Sequence, residues 1–325
     1  MWEVKLMGTG SCVPKLVVTN DDLAQLVETN DEWIKTRTGI ARRHIAVDET
    51  LTGLSKQAGL LALEDAGIRP EDLDLIIVAT LTPDQSMPNA SSTLQKELGA
   101  VNAVCFDLSA ACSGFLFALN TACMYIRSKA VRYALVVGAE ILSKIVDWDD
   151  RSTCILFGDG AGAAVLGPSH TPGFLGMVME SDGQKGDTLT LGGRAMISPF
   201  KKDGATDFGP DYVYMDGQAI FKFAVKKVPE SIRKLLDQTG IKLENVDHFV
   251  LHQANRRIID AVAKRLKVDE DKFIMNMNEY GNTSAASIPL ALDELKKSGR
   301  IQEGQLLLIC GFGGGLTWGS VLFRM

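Results

Sequence analysis

The 325-residue sequence predicts an α/β protein with a duplicated fold, in which two mostly parallel sheets and their helices form five layers, α/β/α/β/α. Strand-like and helix-like segments alternate along both halves of the chain, which is the pattern of parallel sheets. Similar segments also recur about half a chain apart, which indicates that one unit is present twice. Because 46% of the residues are hydrophobic, the chain can bury the large core that these layers require.

Two pairs of strand-like segments carry the evidence for the repeat. Asp74-Leu-Ile-Ile-Val-Ala is similar to Asp247-His-Phe-Val-Leu-His, which begins 173 residues later. Ala134-Leu-Val-Val-Gly-Ala is similar to Leu306-Leu-Leu-Ile-Cys-Gly, which begins 172 residues later. Each match is short, but a near-constant spacing is hard to obtain by chance among unrelated segments.

Between these segments, Cys112 and Asn282 lie 170 residues apart, and each is predicted to stand at the start of a helix. The spacing therefore divides the chain into two similar halves, residues 1–170 and 171–325. Their junction falls near Pro168 to Gly176, where the composition turns to Pro, Gly, Ser and Thr.

The individual elements follow in order along the chain. In the first half, strands are predicted at about 2–8, 74–79, 102–108, 133–138 and 161–166, and helices at about 52–66, 89–98 and 112–127. In the second half, helices are predicted at about 217–238, 255–266 and 283–297, and strands at about 247–252, 306–310 and 318–323.

Cys112 lies where a strand-like segment meets a long apolar segment. Residues 114–126 are apolar nearly all round, which predicts a helix buried on every side. The N-terminus of a helix presents free N–H groups and partial positive charge, so we expect it to lower the pKa of the Cys112 thiol. Cys112 is therefore a candidate nucleophile. The alternative is a structural cysteine, which is the commoner role of an isolated buried thiol.

His252 and Asn282 are the candidate partners of this cysteine. His252 ends a strand-like segment, and Asn282 lies in a turn that leads into a helix. In parallel α/β folds, ligands bind at the carboxyl ends of the strands, so we expect Cys112, His252 and Asn282 at one edge. Taken singly, the histidine could be a structural residue and the asparagine a helix cap.

Composition and charge exclude several other classes of function. A net charge of −6 argues against nucleic acid as a general partner. The first residues lack the pattern of a secretory signal, and no apolar run reaches the length of a membrane span, so we expect a cytoplasmic protein without a membrane partner. The six cysteines form no Cys-x-x-Cys pair and there are four histidines, which predicts free thiols and no metal site.

Four segments together resemble one family. They are Leu108-Ser-Ala-Ala-Cys-Ser-Gly-Phe, Leu251-His-Gln-Ala-Asn-Arg-Arg, Gly281-Asn-Thr-Ser-Ala-Ala-Ser and Gly311-Phe-Gly-Gly-Gly-Leu-Thr-Trp-Gly. These are similar to the signatures of β-ketoacyl-acyl-carrier-protein synthase III, the initiating condensing enzyme of dissociated fatty-acid synthesis in the thiolase superfamily. Asn30-Asp-Glu-Trp-Ile-Lys-Thr-Arg and Phe157-Gly-Asp-Gly-Ala-Gly-Ala-Ala are also similar to that family, so the resemblance covers essentially the whole chain.

The resemblance implies a thiolase-like fold and a two-step condensation. Cys112 would take the acyl group of a starter acyl-CoA, with acetyl-CoA as the expected starter. The backbone N–H groups of Cys112 and Gly315 would form the oxyanion hole, and a side chain at Gly315 would obstruct that approach. After malonyl carrier protein loses CO2, His252 and Asn282 would donate hydrogen bonds to the enolate oxygen. No permanently bound cofactor is implied.

The resemblance also assigns residues to the binding of CoA. Trp33 and Arg151 would hold the adenine between them, because an aromatic ring and a guanidinium both stack on a flat base. Arg37 corresponds to a family position near the nucleotide phosphates, and Asn255 to one near the pantetheine arm.

Further residues are implied in contacts with other protein chains. Lys222, Arg256 and Arg257 belong to a set of basic residues in an otherwise acidic chain, and this set suits an acidic acyl carrier protein. The family forms homodimers, in which Met87 would lie at the floor of the acyl pocket of the partner. Phe is common at that position, and the more flexible methionine opens the pocket to longer or branched starters.

Two alternatives to the initiating synthase stay open. One is a related enzyme, either a specialised starter synthase of a secondary pathway or a degradative thiolase, which is expected to carry a second reactive cysteine near the C-terminus. Cys310 is the cysteine in the corresponding segment. The other alternative is a non-catalytic scaffold that binds acyl groups or a carrier.

Overall fold

The computed structural model describes residues 1–200 and 206–325. The elements of the first half are β1 (Glu3–Cys12), β2 (Leu16–Thr19), α1 (Asn20–Leu23), α2 (Asp31–Thr38), β3 (Arg42–Ile45), α3 (Leu51–Ala66), β4 (Leu75–Ala79), α4 (Ala90–Leu98), β5 (Val104–Leu108), α5 (Gly114–Arg127), β6 (Ala134–Glu140), α6 (Arg151–Cys154) and β7 (Gly160–Ser169). Those of the second half are β8 (Phe174–Ser181), β9 (Leu189–Thr190), β10 (Tyr214–Met215), α7 (Gly217–Thr239), β11 (His248–Leu251), α8 (Arg256–Leu266), β12 (Phe273–Ile274), α9 (Met277–Tyr280), α10 (Ser287–Lys297), β13 (Leu306–Gly313) and β14 (Thr317–Arg324).

Two five-stranded sheets organise the described residues, in the orders β1-β7-β6-β4-β5 and β12-β11-β13-β14-β8. In the first sheet β4 pairs in parallel with β5 and β6, whereas β7 pairs antiparallel with β1 and β6. The second sheet repeats this, with β11 parallel to β12 and β13, and β14 antiparallel to β13 and β8. The duplicated α/β fold is confirmed, but both sheets are mixed rather than mostly parallel. The three-residue connection between β13 and β14 can join only antiparallel neighbours.

The five-layer arrangement is also confirmed. Helix α5 lies between the sheets, and nine of its fourteen residues are buried, as its apolar sequence predicts. Its core includes Phe115 and Leu119 together with Val136 of the first sheet and Leu307 and Ile309 of the second. Helices α3 and α4 cover the outer face of the first sheet, and α7 and α8 cover that of the second. Within the described residues, no helix is long and apolar enough to cross a membrane.

Both central helices, α5 and α10, are entered through the same kind of turn. Ala111 (φ 46°) opens a short 3-10 turn before α5, and Ser284 (φ 48°) opens one before α10. These residues are 173 positions apart, as are the first residues of the two helices. The counterpart of Cys112 is therefore Ala285, and the alignment of Cys112 with Asn282 was wrong by three residues. We call these turns the first elbow (residues 111–113) and the second elbow (residues 284–286).

Candidate active site

Two cavities meet at Cys112. The larger, about 370 Å³, is mainly apolar and is lined by Cys112, Ser284 and Gly315. The smaller, about 310 Å³, is lined by Cys112, His252 and Asn282. The thiol thus lies at the junction of a cavity that suits an acyl chain and a cavity that contains both predicted partners.

The environment of Cys112 differs from the prediction in one respect. Cys112 lies in the first elbow, immediately before α5, but it is only 7% exposed. Burial raises the pKa of the Cys112 thiol to about 12, although hydrogen bonds from Ser284 and from its own backbone act in the opposite direction. The expected lowering of the pKa is wrong, because removal of the thiolate from water outweighs the partial charge of the helix terminus. The free protein therefore holds a thiol that must lose a proton to react.

His252 follows β11, and its backbone N–H donates to the carbonyl of Cys310 at 2.9 Å. Its Nδ1 lies 2.7 Å from Ser287 Oγ, which leaves Nε2 as the ring nitrogen for the cavity. Burial lowers the pKa of His252 to about 3, so the imidazole is neutral near pH 7. Ser287 Oγ also accepts the backbone N–H of Gln253 at 3.4 Å. When Ser287 donates its own hydrogen to Nδ1, Nε2 carries the proton and is a donor.

Asn282 is held by its backbone and by its side chain. Its N–H donates to the carbonyl of Leu156 at 2.8 Å, and its carbonyl accepts the N–H of Gly158 at 3.1 Å. Its side-chain Oδ1 accepts the backbone N–H of Ser284 at 2.9 Å. This contact orients the amide, so Nδ2 is the group left to donate into the cavity.

The glycine-rich segment supports Cys112 in a way that sequence reasoning missed. A Cβ atom at Gly313 would lie 2.8 Å from Cβ and 2.9 Å from N of Cys112, so no side chain fits there. Gly315 lines the larger cavity, and its φ of 123° is a conformation that glycine adopts readily. The close approach to the nucleophile is therefore made by Gly313, whereas Gly315 is required by its backbone conformation.

Three of the predicted CoA residues, Trp33, Arg37 and Asn255, line the smaller cavity, and the fourth, Arg151, lies against Trp33. Trp33 on α2 is half-buried, and the guanidinium groups of Arg37 and Arg151 lie 4.4 Å and 4.9 Å from its ring centroid. Asn255 accepts the backbone N–H of Arg257 through Oδ1 and donates to the carbonyl of Arg37 through Nδ2, at 2.9 Å and 3.1 Å. Asn255 thus caps α8 and also fastens α8 to α2.

The three predicted carrier-binding residues lie on the exposed surfaces of α7 and α8. Lys222 is on α7, and Arg256 and Arg257 begin α8. Arg257 also lines the smaller cavity, and its guanidinium lies 6.0 Å from the ring centroid of Phe221. Arg256 pairs with Asp260 at 3.6 Å. The mouth of the cavity is therefore bordered by positive charge.

Met87 is 86% exposed in the segment before α4. Sequence reasoning did not identify the residues of this chain that give the larger cavity its apolar walls. They include Leu142, Ile145, Val146, Phe157, Leu191 and Val213. They come from segments far apart in the sequence, so no local pattern marks them. Within the described residues, no group of three or more His, Cys, Asp or Glu side chains is placed to hold a metal ion.

Two stacked α/β halves, with a cysteine before a buried helix and a histidine and an asparagine on the same cavity, define a condensing enzyme of the thiolase superfamily. Comparisons with known proteins agree. The family described as 3-oxoacyl-[acyl-carrier-protein (ACP)] synthase III matches residues 106–183, and its C-terminal family matches residues 236–325.

Three relatives illustrate the match. β-Ketoacyl-[acyl-carrier-protein] synthase III of Clostridium acetobutylicum is 47% identical over 324 residues, which cover 100% of this chain and 99% of the relative. The crystal structure of 3-oxoacyl-[acyl-carrier-protein] synthase III from Aquifex aeolicus has a TM-score of 0.92 at 46% identity, covering 99% of this chain and 100% of that one. A priming β-ketosynthase of a polyketide biosynthetic pathway has a TM-score of 0.91 at 38% identity, covering 100% and 96%. The chain belongs to the β-ketoacyl-acyl-carrier-protein synthase III family of acyltransferases.

Proposed function

We propose that the protein initiates fatty-acid synthesis by condensing a starter acyl-CoA, with acetyl-CoA as the expected starter, with malonyl-acyl-carrier-protein. The reaction is a decarboxylative Claisen condensation through an acyl-Cys112 intermediate, and its products are 3-oxoacyl carrier protein, CoA and CO2. One observation carries the proposal. Cys112, His252 and Asn282 line one cavity, and this cavity joins a second, apolar cavity at the thiol.

In the first step, the sulfur of Cys112 attacks the thioester carbonyl of the starter, and CoA leaves as its thiol. The oxyanion that develops is held by the backbone N–H groups of Cys112 and Gly315. The acyl chain then occupies the larger cavity, which is lined by Cys112, Gly315 and apolar side chains.

In the second step, malonyl carrier protein loses CO2 and leaves an enolate. His252 Nε2 and Asn282 Nδ2 donate hydrogen bonds to the enolate oxygen, which are strong interactions because the site is buried. The low pKa of His252 keeps it neutral, so it donates without first acquiring a positive charge. The enolate carbon attacks the acyl thioester, and the Cys112 sulfur departs.

The binding surfaces are assigned by the same argument. Arg37 and Arg151 both lie against Trp33, and we propose that the adenine of CoA enters between Trp33 and Arg151. Arg37 then contacts the phosphates, and Asn255 lies beside the pantetheine arm.

An acidic carrier protein docks on Lys222, Arg256 and Arg257, around the mouth through which its phosphopantetheine reaches Cys112.

We further propose that the protein is a homodimer in the cytoplasm. Strand β5 forms one edge of the first sheet, and its first residue, Val104, is 64% exposed. An edge strand with an exposed apolar residue is a surface that a second copy can pair with. In such a dimer the exposed Met87 reaches the acyl cavity of the partner subunit.

A thiolase is the weaker alternative, because Cys310 is fully buried within β13. Its sulfur accepts a hydrogen bond from Ser320 Oγ at 3.5 Å, and Cys310 lines neither of the two cavities that meet at Cys112. A specialised starter synthase has one observation in its favour, namely the likeness to a priming β-ketosynthase. A non-catalytic scaffold has no need of a cysteine, a histidine and an asparagine on one cavity.

The decisive experiment incubates the protein with acetyl-, butyryl- or isobutyryl-CoA and locates the acyl mass by peptide mass spectrometry. We expect the acyl group on Cys112, and its loss with formation of 3-oxoacyl carrier protein when malonyl carrier protein is added. Failure of all three starters to acylate Cys112 would contradict the proposal. Discharge of acyl-Cys112 by malonyl-CoA or free CoA alone would favour a specialised synthase or a thiolase.

A further inference from the structure

Glu140 is a fully buried carboxyl group at the carboxyl end of β6. Its Oε2 accepts hydrogen bonds from Thr80 Oγ1 at 3.2 Å, from Thr82 Oγ1 at 2.6 Å and from the backbone N–H of Leu81 at 3.1 Å. Its Oε1 accepts a hydrogen bond from Ser284 Oγ at 3.3 Å. A buried carboxyl group with this many donors is held in one orientation.

Ser284 connects this carboxyl group to the nucleophile. It belongs to the second elbow and lines the larger cavity together with Cys112, where its hydroxyl is close enough to act on the pKa of the Cys112 thiol. A serine hydroxyl has one hydrogen and two lone pairs. When it donates to Glu140, it can accept the S–H of Cys112, which forms a continuous path from thiol to carboxylate.

The basicity of the neighbouring groups favours this path. Cys112 must lose a proton, and His252, with a pKa of about 3, is a weak acceptor. Burial raises the pKa of Glu140 to about 7, which makes it the stronger base. Lys144, in the turn after β6, interacts electrostatically with Glu140, and its ammonium donates to the carbonyls of Thr82 and Pro83.

We propose that Glu140 is a positioning residue for acylation that accepts the proton of the Cys112 thiol through the hydroxyl of Ser284. The bond from the Cys112 sulfur to the acyl carbon forms as the S–H proton moves to Ser284 Oγ and the Ser284 hydrogen moves to Glu140 Oε1. The acyl bond to CoA then breaks with its electron pair on the CoA sulfur. The proton returns from Glu140 through Ser284 to that thiolate, so charge and protons balance.

The acylation step belongs to the proposed function, but the proton path can be tested without it. Iodoacetamide alkylates Cys112 only as the thiolate forms, and it needs neither CoA nor a carrier protein. The rate of Cys112 alkylation is measured by peptide mass spectrometry from pH 5.5 to 9, and single-turnover acylation by acetyl-CoA is measured over the same range. If acetyl-CoA fails to acylate the wild type while the alkylation rate of Cys112 depends on pH and on Glu140 as expected below, the proposed function is wrong and the proton path is still supported.

In the wild type we expect both rates to rise with a midpoint near pH 7, where Glu140 becomes a carboxylate. Glu140→Gln keeps the size of the side chain and removes the proton acceptor. We expect it to lower both rates about 10- to 100-fold and to abolish the rise near pH 7. Asp159→Asn is the matched control, because Asp159 is also a buried carboxyl group. It accepts the backbone N–H groups of Ala46 and Ser143 and is not part of the proposed proton path. This variant should keep the midpoint.

Two results would overturn the proposal. One is a wild-type rate in Glu140→Gln. The other is a lower rate with the rise near pH 7 unchanged, which is the signature of a purely structural residue. Should Glu140→Gln fail to fold, Ser284→Ala provides the same test, because it interrupts the path and leaves Glu140 in place. We expect the same loss of the rise near pH 7, and a wild-type profile would exclude the path.

Discussion

The two elbows have the same backbone and different chemistry. In each, a residue with positive φ opens a 3-10 turn that leads into a helix between the sheets, but the middle residue is Cys112 in the first elbow and Ala285 in the second. Each elbow also packs against the central strand of the opposite half. Gly138 of β6 lies against the carbonyl of Ala285, and Gly313 of β13 lies against Cys112.

The two elbows also differ in the last residue of the strand that packs against each of them. Glu140 and Gly313 are 173 positions apart and end β6 and β13. The glycine leaves room beside the nucleophile, whereas the glutamate anchors the second elbow through Ser284. The duplication thus provides the same backbone turn twice. Differences at a few equivalent positions place the nucleophile in the first elbow and give the second elbow a structural role beside it.

The largest effect should follow from moving the nucleophile between the elbows. We expect Cys112→Ala to abolish acyl-enzyme formation and to lower turnover at least about 10⁴-fold, because covalent catalysis is lost. Adding Ala285→Cys to this variant should not restore acylation, since Ala285 lines neither cavity and its backbone carbonyl lies against Gly138. Acyl mass on the thiol introduced in the second elbow of the double variant, measured by mass spectrometry, would show that the elbows are interchangeable.

Removal of the donors beside the nucleophile should separate the two steps. We expect His252→Ala or Asn282→Ala to lower condensation about 10²- to 10³-fold, because each loses one hydrogen bond to the enolate. Acylation of Cys112 should stay within about tenfold of the wild type in both. The measurements are single-turnover acylation and the release of CO2 from malonyl carrier protein. Equal losses in both steps would contradict the assigned roles.

The contact between β13 and the first elbow can be tested with neighbouring glycines. We expect Gly313→Ala to lower the acylation rate about 10- to 100-fold and the free energy of unfolding by about 1–3 kcal/mol, because its Cβ collides with Cys112. Gly314→Ala is the control, since its Cβ would meet Ala111 at an ordinary 3.4 Å. Urea unfolding and single-turnover acylation check both variants, and equal behaviour would exclude a special role for Gly313.

The buried histidine should make stability depend on pH. The folded pKa of His252 is about 3, below the usual 6.5, so only the unfolded chain takes up its proton between these values. Stability from this residue is present above about pH 6.5 and falls as the pH falls, by about 2 kcal/mol at pH 5. We expect His252→Gln to lose less stability than the wild type between pH 7 and pH 5 in urea unfolding. Parallel losses would contradict the burial argument.

The smallest effect should come from the mouth of the smaller cavity, which lies away from both elbows. We expect Trp33→Ala to raise the KM for acyl-CoA about tenfold and to leave kcat within about twofold, because stacking on the adenine contributes to binding alone. Lys35→Ala, on an exposed face of the same helix, is the control. A fall in kcat for Trp33→Ala would show that Trp33 contributes to the catalytic steps and not to binding alone.

Much of this protein is determined by its sequence. The alternation of strands and helices and the spacing of similar segments predict the layered fold, because burial of apolar faces leaves few other arrangements. Motifs such as Leu108-Ser-Ala-Ala-Cys and Gly281-Asn-Thr-Ser identify the family, because they report residue types directly. Cys112, His252 and Asn282 are therefore visible without a structure as candidates.

Only the tertiary structure decided the pKa values and the orientations of those residues. Segments distant in sequence bury Cys112 and raise the pKa of its thiol. The position of Cys112 at a helix N-terminus therefore predicted the wrong direction of the pKa shift. The amide of Asn282 is oriented by a turn, and the nucleophile is accommodated by Gly313. Glu140 binds Ser284 only because β6 ends beside the second elbow. Solvation and hydrogen bonding depend on the neighbours that folding supplies, and the order of residues along the chain does not specify those neighbours locally.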